Sequence, residues 1–236
     1  AGVGREGEMT AEVRAINRDP VGYLREVAAR CEGLEQYRLK FYRQERLGLI
    51  PRLGAMEEIE AAFRKRPFSV KFSWADEKMP YYESSYVEGK NENKLVVRER
   101  HGLLLSPPQV RAIDVDLPVQ IGKAKNPITA FGLANLARRT LADRLAIERP
   151  PTEGYRYTRQ DVYVDAETGL PSGTDLWLAD GQLDARYRYA EVETEVRLTD
   201  ADFEVSRPAS RPGGPSARGS GQRGESPRSL GGTEGN

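Results

Sequence analysis

Between Tyr157 and Phe203 the chain alternates extended runs with turn signals, and no other stretch constrains the fold as tightly. Asp165-Ala166-Glu167-Thr168-Gly169 and Asp180-Gly181 are turn formers, because Asp bonds its own nearby backbone and Gly accepts positive φ without steric cost. Strands joined by turns this short must pair antiparallel, since a parallel neighbour needs a crossover of roughly a dozen residues or more. The run closes on Leu198-Thr199-Asp200-Ala201-Asp202-Phe203. This pattern specifies architecture and carries no chemistry of its own.

The same period of two appears upstream. Tyr37, Leu39 and Phe41 alternate with Arg38, Lys40 and Tyr42, which predicts a half-buried strand over 37–47 followed by a turn from Gly48 to Pro51. From Met56 to Phe63 a weaker strand is expected, with a short helix as the rival reading because Ala and Glu are common there. Pro67 restarts the chain, and Phe68, Val70, Phe72 and Trp74 share one face of the clearest strand in the protein. Tyr82–Val87 and Lys94–Arg100 then form a hairpin through Gly89-Lys90-Asn91-Glu92-Asn93, completing a second meander.

Helical spacing is confined to few places. A helix is plausible from Met9, and Asp19-Pro20 reads as an N-cap followed by proline at the first helical position. Val21, Leu24, Val27, Ala28 and Cys31 then form an apolar stripe that Gly33 ends, making Cys31 a core thiol. Residues 102–126 read as an ordered connection with one short strand. Asn126-Pro127 repeats the cap-then-proline signal, with Ile128, Phe131, Leu133, Leu136, Leu141 and Leu145 forming an apolar face up to Glu148 before Pro150 and Pro151. A helix this apolar on one side must lie on a sheet.

At 236 residues the chain can bury a substantial core. Its low hydrophobic fraction, 38%, is owed largely to residues 206–236, which are rich in Gly, Ser, Pro and Arg and are expected to form a disordered tail. Residues 1–8 are expected to fray, leaving 9–205 as one domain. Net charge is zero, which gives no whole-molecule attraction to nucleic acid. One Cys and one His exclude a disulfide framework and a multi-histidine metal site. No apolar run approaches the roughly 18 residues of a spanning helix. The sequence starts at Ala1 and not at Met, so the lack of an export signal does not establish a cytoplasmic home.

Candidate chemistry is sparse. Acidic pairs occur at Glu57-Glu58, Asp114 with Asp116, and Asp200 with Asp202, but adjacent and alternating acids usually serve turns or wet strand faces. His101 precedes Gly102 in a turn context and has no Gly-x-Ser-x-Gly motif to serve. No phosphate-cradling glycine loop exists, and no cofactor is expected. Arg38, Lys40, Arg43 and Arg46, with Arg64, Lys65 and Arg66, offer a basic face over Tyr42 of the kind single-stranded nucleic acids use. The competing reading, which is preferred, is a solvated outer face whose cations pair with Glu45, Glu57 and Glu60 across strands.

In their order, Tyr163-Val164-Asp165, Thr168-Gly169-Leu170-Pro171, Asp180-Gly181 and Leu198–Phe203 resemble the C-terminal half of LolA-like proteins, envelope relatives of the bacterial lipoprotein-localisation carrier. Phe41-Tyr42-Arg43-Gln44-Glu45-Arg46, Arg66-Pro67-Phe68-Ser69-Val70, Tyr86–Asn91 and Asn126-Pro127-Ile128-Thr129 are similar to an allied bacterial family of unknown function. The resemblance spans about residues 10–204. It implies an α+β fold in which an antiparallel, incomplete β-barrel, or half-barrel, wraps one long and one or two shorter helices. It further implies an envelope or periplasmic location and a hydrophobic cavity between sheet and helix. The link from Glu148 to Gly154 is shorter than such relatives carry, which bears on the cavity's size.

The resulting expectation is a non-enzymatic domain that binds a lipid, another apolar ligand or a lipidated protein beneath the sheet. The candidate wall residues are Leu39, Phe41, Phe68, Val70, Phe72, Trp74, Phe131 and Leu136. The alternative is a filled core that recruits an envelope protein through a sheet edge or the tail. Neither reading involves nucleic acid or a metal.

Overall fold

The structure, a computed structural model, describes residues 16, 18–100, 109–147 and 157–206. The expectations for residues 1–8, for the helix start at Met9, for His101, for the link from Glu148 with its two prolines, and for the tail beyond Ser206 lie outside them. Among the described residues ten strands form one antiparallel sheet. They are β1 (Gln36–Leu47), β2 (Arg52–Leu53), β3 (Glu57–Arg64), β4 (Ser69–Ser73), β5 (Tyr81–Val87), β6 (Leu95–Glu99), β7 (Val110–Ile113), β8 (Tyr157–Val164), β9 (Pro171–Leu178) and β10 (Leu183–Glu193). Nine of them follow the order β7-β6-β5-β4-β3-β1-β10-β9-β8, while β2 pairs the end of β1.

The two meanders meet at a single seam. β1 pairs β3 from Gln36↔Arg64 to Arg43↔Glu57 and β10 from Arg38↔Glu193 to Glu45↔Ala185. The first and last thirds of the domain are thereby joined along one long strand, and the sheet stays open between β7 and β8. This is the half-barrel expected from the sequence. β3 is a strand and not a short helix: Ile59, Ala61 and Phe63 face inward with Tyr37, Leu39 and Phe41, an alternation that a helix could not bury on one sheet face.

Both faces are covered, unequally. The inner face carries the main core, in which Val70, Phe72, Ala185 and Tyr187 join β1 and β3. On the outer face, Ala62 and Val87 lie under Leu198 and Phe203, brought there by the 3-10 turn Asp200–Phe203 with its Thr199–Asp202 capping box. Ser85 Oγ donates to the Phe203 carbonyl at 2.5 Å and Lys71 Nζ to that of Glu204 at 2.7 Å, fixing the crossing segment.

Three helices lie in the described chain: α1 (Pro20–Glu32), α2 (Leu117–Gln120) and α3 (Leu133–Ile147). α1 begins as expected, with Asp19 Oδ1 accepting the Gly22 N–H at 2.8 Å. Val27, Ala28 and Cys31 are buried, and burial pushes the Cys31 thiol up to about 11, that of a core thiol and not a nucleophile. The expected helix from Asn126-Pro127 is corrected. Ile128–Ala130 is a separate 3-10 turn, Phe131 is extended, and α3 starts only at Leu133. Gly132, at φ +128°, makes the break. Asn126 does not cap α3; its Oδ1 accepts from Arg139 Nη1 at 3.0 Å.

The sheet supplies the missing cap. Tyr37 of β1 presents its hydroxyl oxygen to the Leu133 N–H at 2.8 Å, satisfying one of the backbone donors that a helix start leaves unpaired. Arg30 on α1 donates to the Gly169 carbonyl at 2.9 Å, tying that helix to the β8–β9 turn. α1 and α3 pack against each other across the concave side.

Candidate functional site

Where α3 and the 118–132 segment approach the sheet, they border a partly open cavity of about 190 Å³. Of the eight candidate wall residues, Phe41, Phe72, Trp74, Phe131 and Leu136 line it. Leu39 and Val70 are buried in the core outside the wall, and Phe68 packs edge-on against Phe63 at 5.6 Å. The alternation that selected them identifies the inner face of each strand but not the level at which a helix stands off that face.

Phe41 is the hub of the wall. Its ring lies 5.9 Å from Phe72, 5.3 Å from Phe131, 6.0 Å from Tyr187 and 5.3 Å from Tyr189. Each such pair is worth about 0.5–1.5 kcal/mol beyond area burial. Aliphatic side chains, among them Leu95, Val97, Ile128, Leu136 and Leu176, complete the wall.

One end of the wall is charged, and this the sequence reading missed. Arg43 and Glu45 continue the inward alternation of Tyr37, Leu39 and Phe41, so they point beneath the sheet. Arg43 Nη2 donates to Glu57 Oε2 at 2.7 Å, and Trp74 Nε1 donates to the same oxygen at 3.1 Å. The Tyr187 hydroxyl donates to Glu45 Oε1 at 2.5 Å, and the Lys125 N–H to Glu45 Oε2 at 3.2 Å. Lys125 Nζ bonds the fully buried Asp184 at 2.7 Å. Burial pushes the Tyr187 phenol well above its ordinary range, and the Glu45 carboxylate adds to the rise. For Arg43 burial opposes the charge, but Glu57 and Glu45 outweigh it and hold the guanidinium protonated. The two-residue spacing from Phe41 was the signal that could have removed Arg43 from the outer face.

Four more cations of that basic face are paired with acids, while Arg46 bonds the Leu183 and Pro51 carbonyls. Arg38 pairs with Asp202, Lys40 with Glu191 at 2.8 Å, Arg64 with Asp200 at 2.8 Å and Lys65 with Glu35 at 3.1 Å. Of the three expected carboxylates Glu57 is ion-paired with a cation of the set, but with Arg43 on the inner face, and Glu45, also inward, accepts from Tyr187.

The acidic pairs do not converge in a cleft. Glu57 and Glu58, being neighbours on β3, face opposite sides of the sheet. Asp114 Oδ1 accepts the Asp116 N–H at 2.9 Å in a turn, Asp200 bonds Lys90 and Arg64, and Asp202 closes its capping box. Among the described residues no cluster of three or more His, Cys, Asp or Glu could hold a metal ion.

The family described as Protein of unknown function (DUF1571) matches residues 34–149, so the kinship expected from the motifs holds over the segment that contains β1 to β7 and α3. No curated protein matches the chain. Among solved structures, MucB is similar at 16% identity and a TM-score of 0.44, covering 80% of this chain and 63% of that one. A Pseudomonas aeruginosa MucA/MucB complex is similar at 15% identity and a TM-score of 0.43, covering 80% and 61%. A LolA superfamily protein from Nitrosomonas europaea is similar at 8% identity and 0.26, covering 78% and 96%. The chain thus spans less than two thirds of the MucB chains, and scores below 0.5 carry no functional weight.

Proposed function

Starting from a chain whose residues 34–149 carry the DUF1571 match, we propose that this half-barrel is a non-enzymatic binding domain of the bacterial cell envelope. It receives a small apolar group in the cavity under β1, β4 and α3. The envelope assignment draws on the LolA-like order of motifs. The cavity carries the functional reading: a ring-walled space of about 190 Å³ with one charged end.

Its size narrows the occupant. An apolar cavity of roughly 150 Å³ accepts a benzene-sized molecule, whereas drug-sized ligands occupy roughly 300–1,000 Å³. At about 190 Å³ the space lies just above the first of these and below the second. The site therefore suits the end of one acyl chain, or an apolar group presented by a lipidated partner, and not several whole chains. Native mass spectrometry of protein purified from membrane-containing lysate tests this: a bound amphiphile that is lost on Leu136→Trp supports it, and bare protein under all conditions counts against it.

A second reading rests on a different observation. Among the described residues no strand pairs the outer edge of β8, eight residues long, which leaves a row of backbone donors and acceptors for an added strand. In that case an envelope protein docks on β8 and the cavity is incidental. Protection of β8 amides from hydrogen exchange on addition of an envelope extract distinguishes the two.

A further inference from the structure

We infer that the tip of the β1–β2 hairpin, together with the loop after α2, docks on an anionic lipid surface and sets the cavity mouth against it. At residues 46–47 β1 outruns its pairing with β3, and only the two residues of β2 accompany it, at Arg46↔Leu53 and Leu47↔Arg52. The hairpin therefore projects from the sheet. At its apex Leu49 is 105% exposed and Ile50 75% exposed. Large aliphatic side chains in pairs at a projecting apex bury nothing in the free protein.

A second apolar group stands beside them. Ile121, at the end of α2, is 56% exposed, and a Cβ built on Gly122 would lie 3.9 Å from the Gly48 nitrogen. The two loops therefore touch. Ile121 and Lys123 also line the cavity, so the mouth opens next to the apex.

Charge decides the partner. Neither 46–53 nor 117–125 contains an acid, while Arg46, Arg52 and Lys123 are cationic and Lys125 is neutralised by the buried Asp184. Of the acids at this end, Glu45 and Asp184 are buried and bonded to Tyr187 and Lys125, Asp114 and Asp116 lie at the opposite, N-terminal end of α2, and Asp180 stands in the neighbouring β9–β10 turn. Apolar side chains backed by cations match the interface of an anionic bilayer, where the side chains enter the headgroup boundary and the cations stay at its surface. A protein partner needs roughly 800 Å² on each side, which three protruding side chains do not supply.

The test is sedimentation of the full chain with vesicles of phosphatidylcholine, alone or mixed with phosphatidylglycerol. Binding to the mixed vesicles is expected. Leu49→Asp with Ile50→Asp should weaken it at least about 100-fold, and Arg52→Glu about fivefold or more. Because Leu49 is fully exposed and Ile50 three-quarters exposed, the double variant should keep the parent circular dichroism and melting temperature. No binding by the parent protein, or equal binding by the double variant, overturns the inference. So does a double variant that loses an envelope protein partner while its vesicle binding is unchanged. Leu136→Trp fills the cavity but leaves the tip intact, so it should bind vesicles normally, and the docking and cavity readings can fail separately.

Discussion

Replacing Tyr37 by Phe removes one oxygen and nothing else, and it asks whether the sheet holds the roof of the cavity in place. The ring is 1% exposed and stacks on Phe63 with centroids 4.7 Å apart, contacts that Phe preserves. The hydroxyl oxygen accepts the Leu133 N–H at 2.8 Å, and Leu133 is itself fully buried. Without it a backbone donor at the start of α3 is left in an apolar environment, at a cost of about 1–3 kcal/mol. The lower half of that range applies, because the variant also removes a hydroxyl that itself had to be desolvated. We expect a loss of about 1–2 kcal/mol from urea unfolding with an unchanged m-value. Amide exchange in 133–136 should accelerate by more than the global loss explains, because the defect is local to the helix start. A change below about 0.3 kcal/mol with unaltered exchange would refute the assignment of Tyr37 as the cap.

Three further outcomes follow from the same geometry. Gly132→Ala should destabilise by about 1–3 kcal/mol by urea unfolding, since φ is +128° and the new Cβ would sit 3.0 Å from the Phe63 ring. Arg43→Met should cost about 2–3 kcal/mol by the same assay, less than a fully buried pair because Arg43 and Glu57 retain 16% and 20% exposure, and Glu57→Met added to it should restore much of the loss. For acid, Asp175 is the group to watch. Burial raises its pKa, but hydrogen bonds from Arg186 and Arg188 outweigh that and hold it at about 2. A depressed folded pKa means stability present at neutral pH and lost as pH falls from about 4 towards 2. Asp175→Asn should flatten that part of the stability profile, by about 2 kcal/mol at most because both arginines are about one-third exposed.

Strand patterning was readable because each strand buries one face: Phe68-Ser69-Val70-Lys71-Phe72 and the turns at Asp165–Gly169 and Asp180-Gly181 carry their meaning locally. The α1 cap at Asp19-Pro20 was equally local. The start of α3 was not, because Asn126-Pro127 has the right chemistry for a cap while the true cap, Tyr37, lies 96 residues earlier on the strand that the helix crosses. Arg43 was misplaced for a related reason. Residue type argued for the surface, position argued for the interior, and position won because Glu45 on the same strand and Glu57 on β3, itself bonded by the Trp74 indole, make burial tolerable. The wall of the cavity was half legible, since alternation selects a face but Leu39 and Val70 differ from Phe41 and Phe72 only in height beneath α3.

Calorimetric titration with saturated fatty acids of increasing length tests the cavity most directly. For the parent protein affinity should rise by about 0.8 kcal/mol per methylene until the cavity is full, then level as further carbons stay in water. Leu136→Trp should abolish that rise. Equal affinity across the series, no binding at any length, or a rise that Leu136→Trp leaves intact would contradict it.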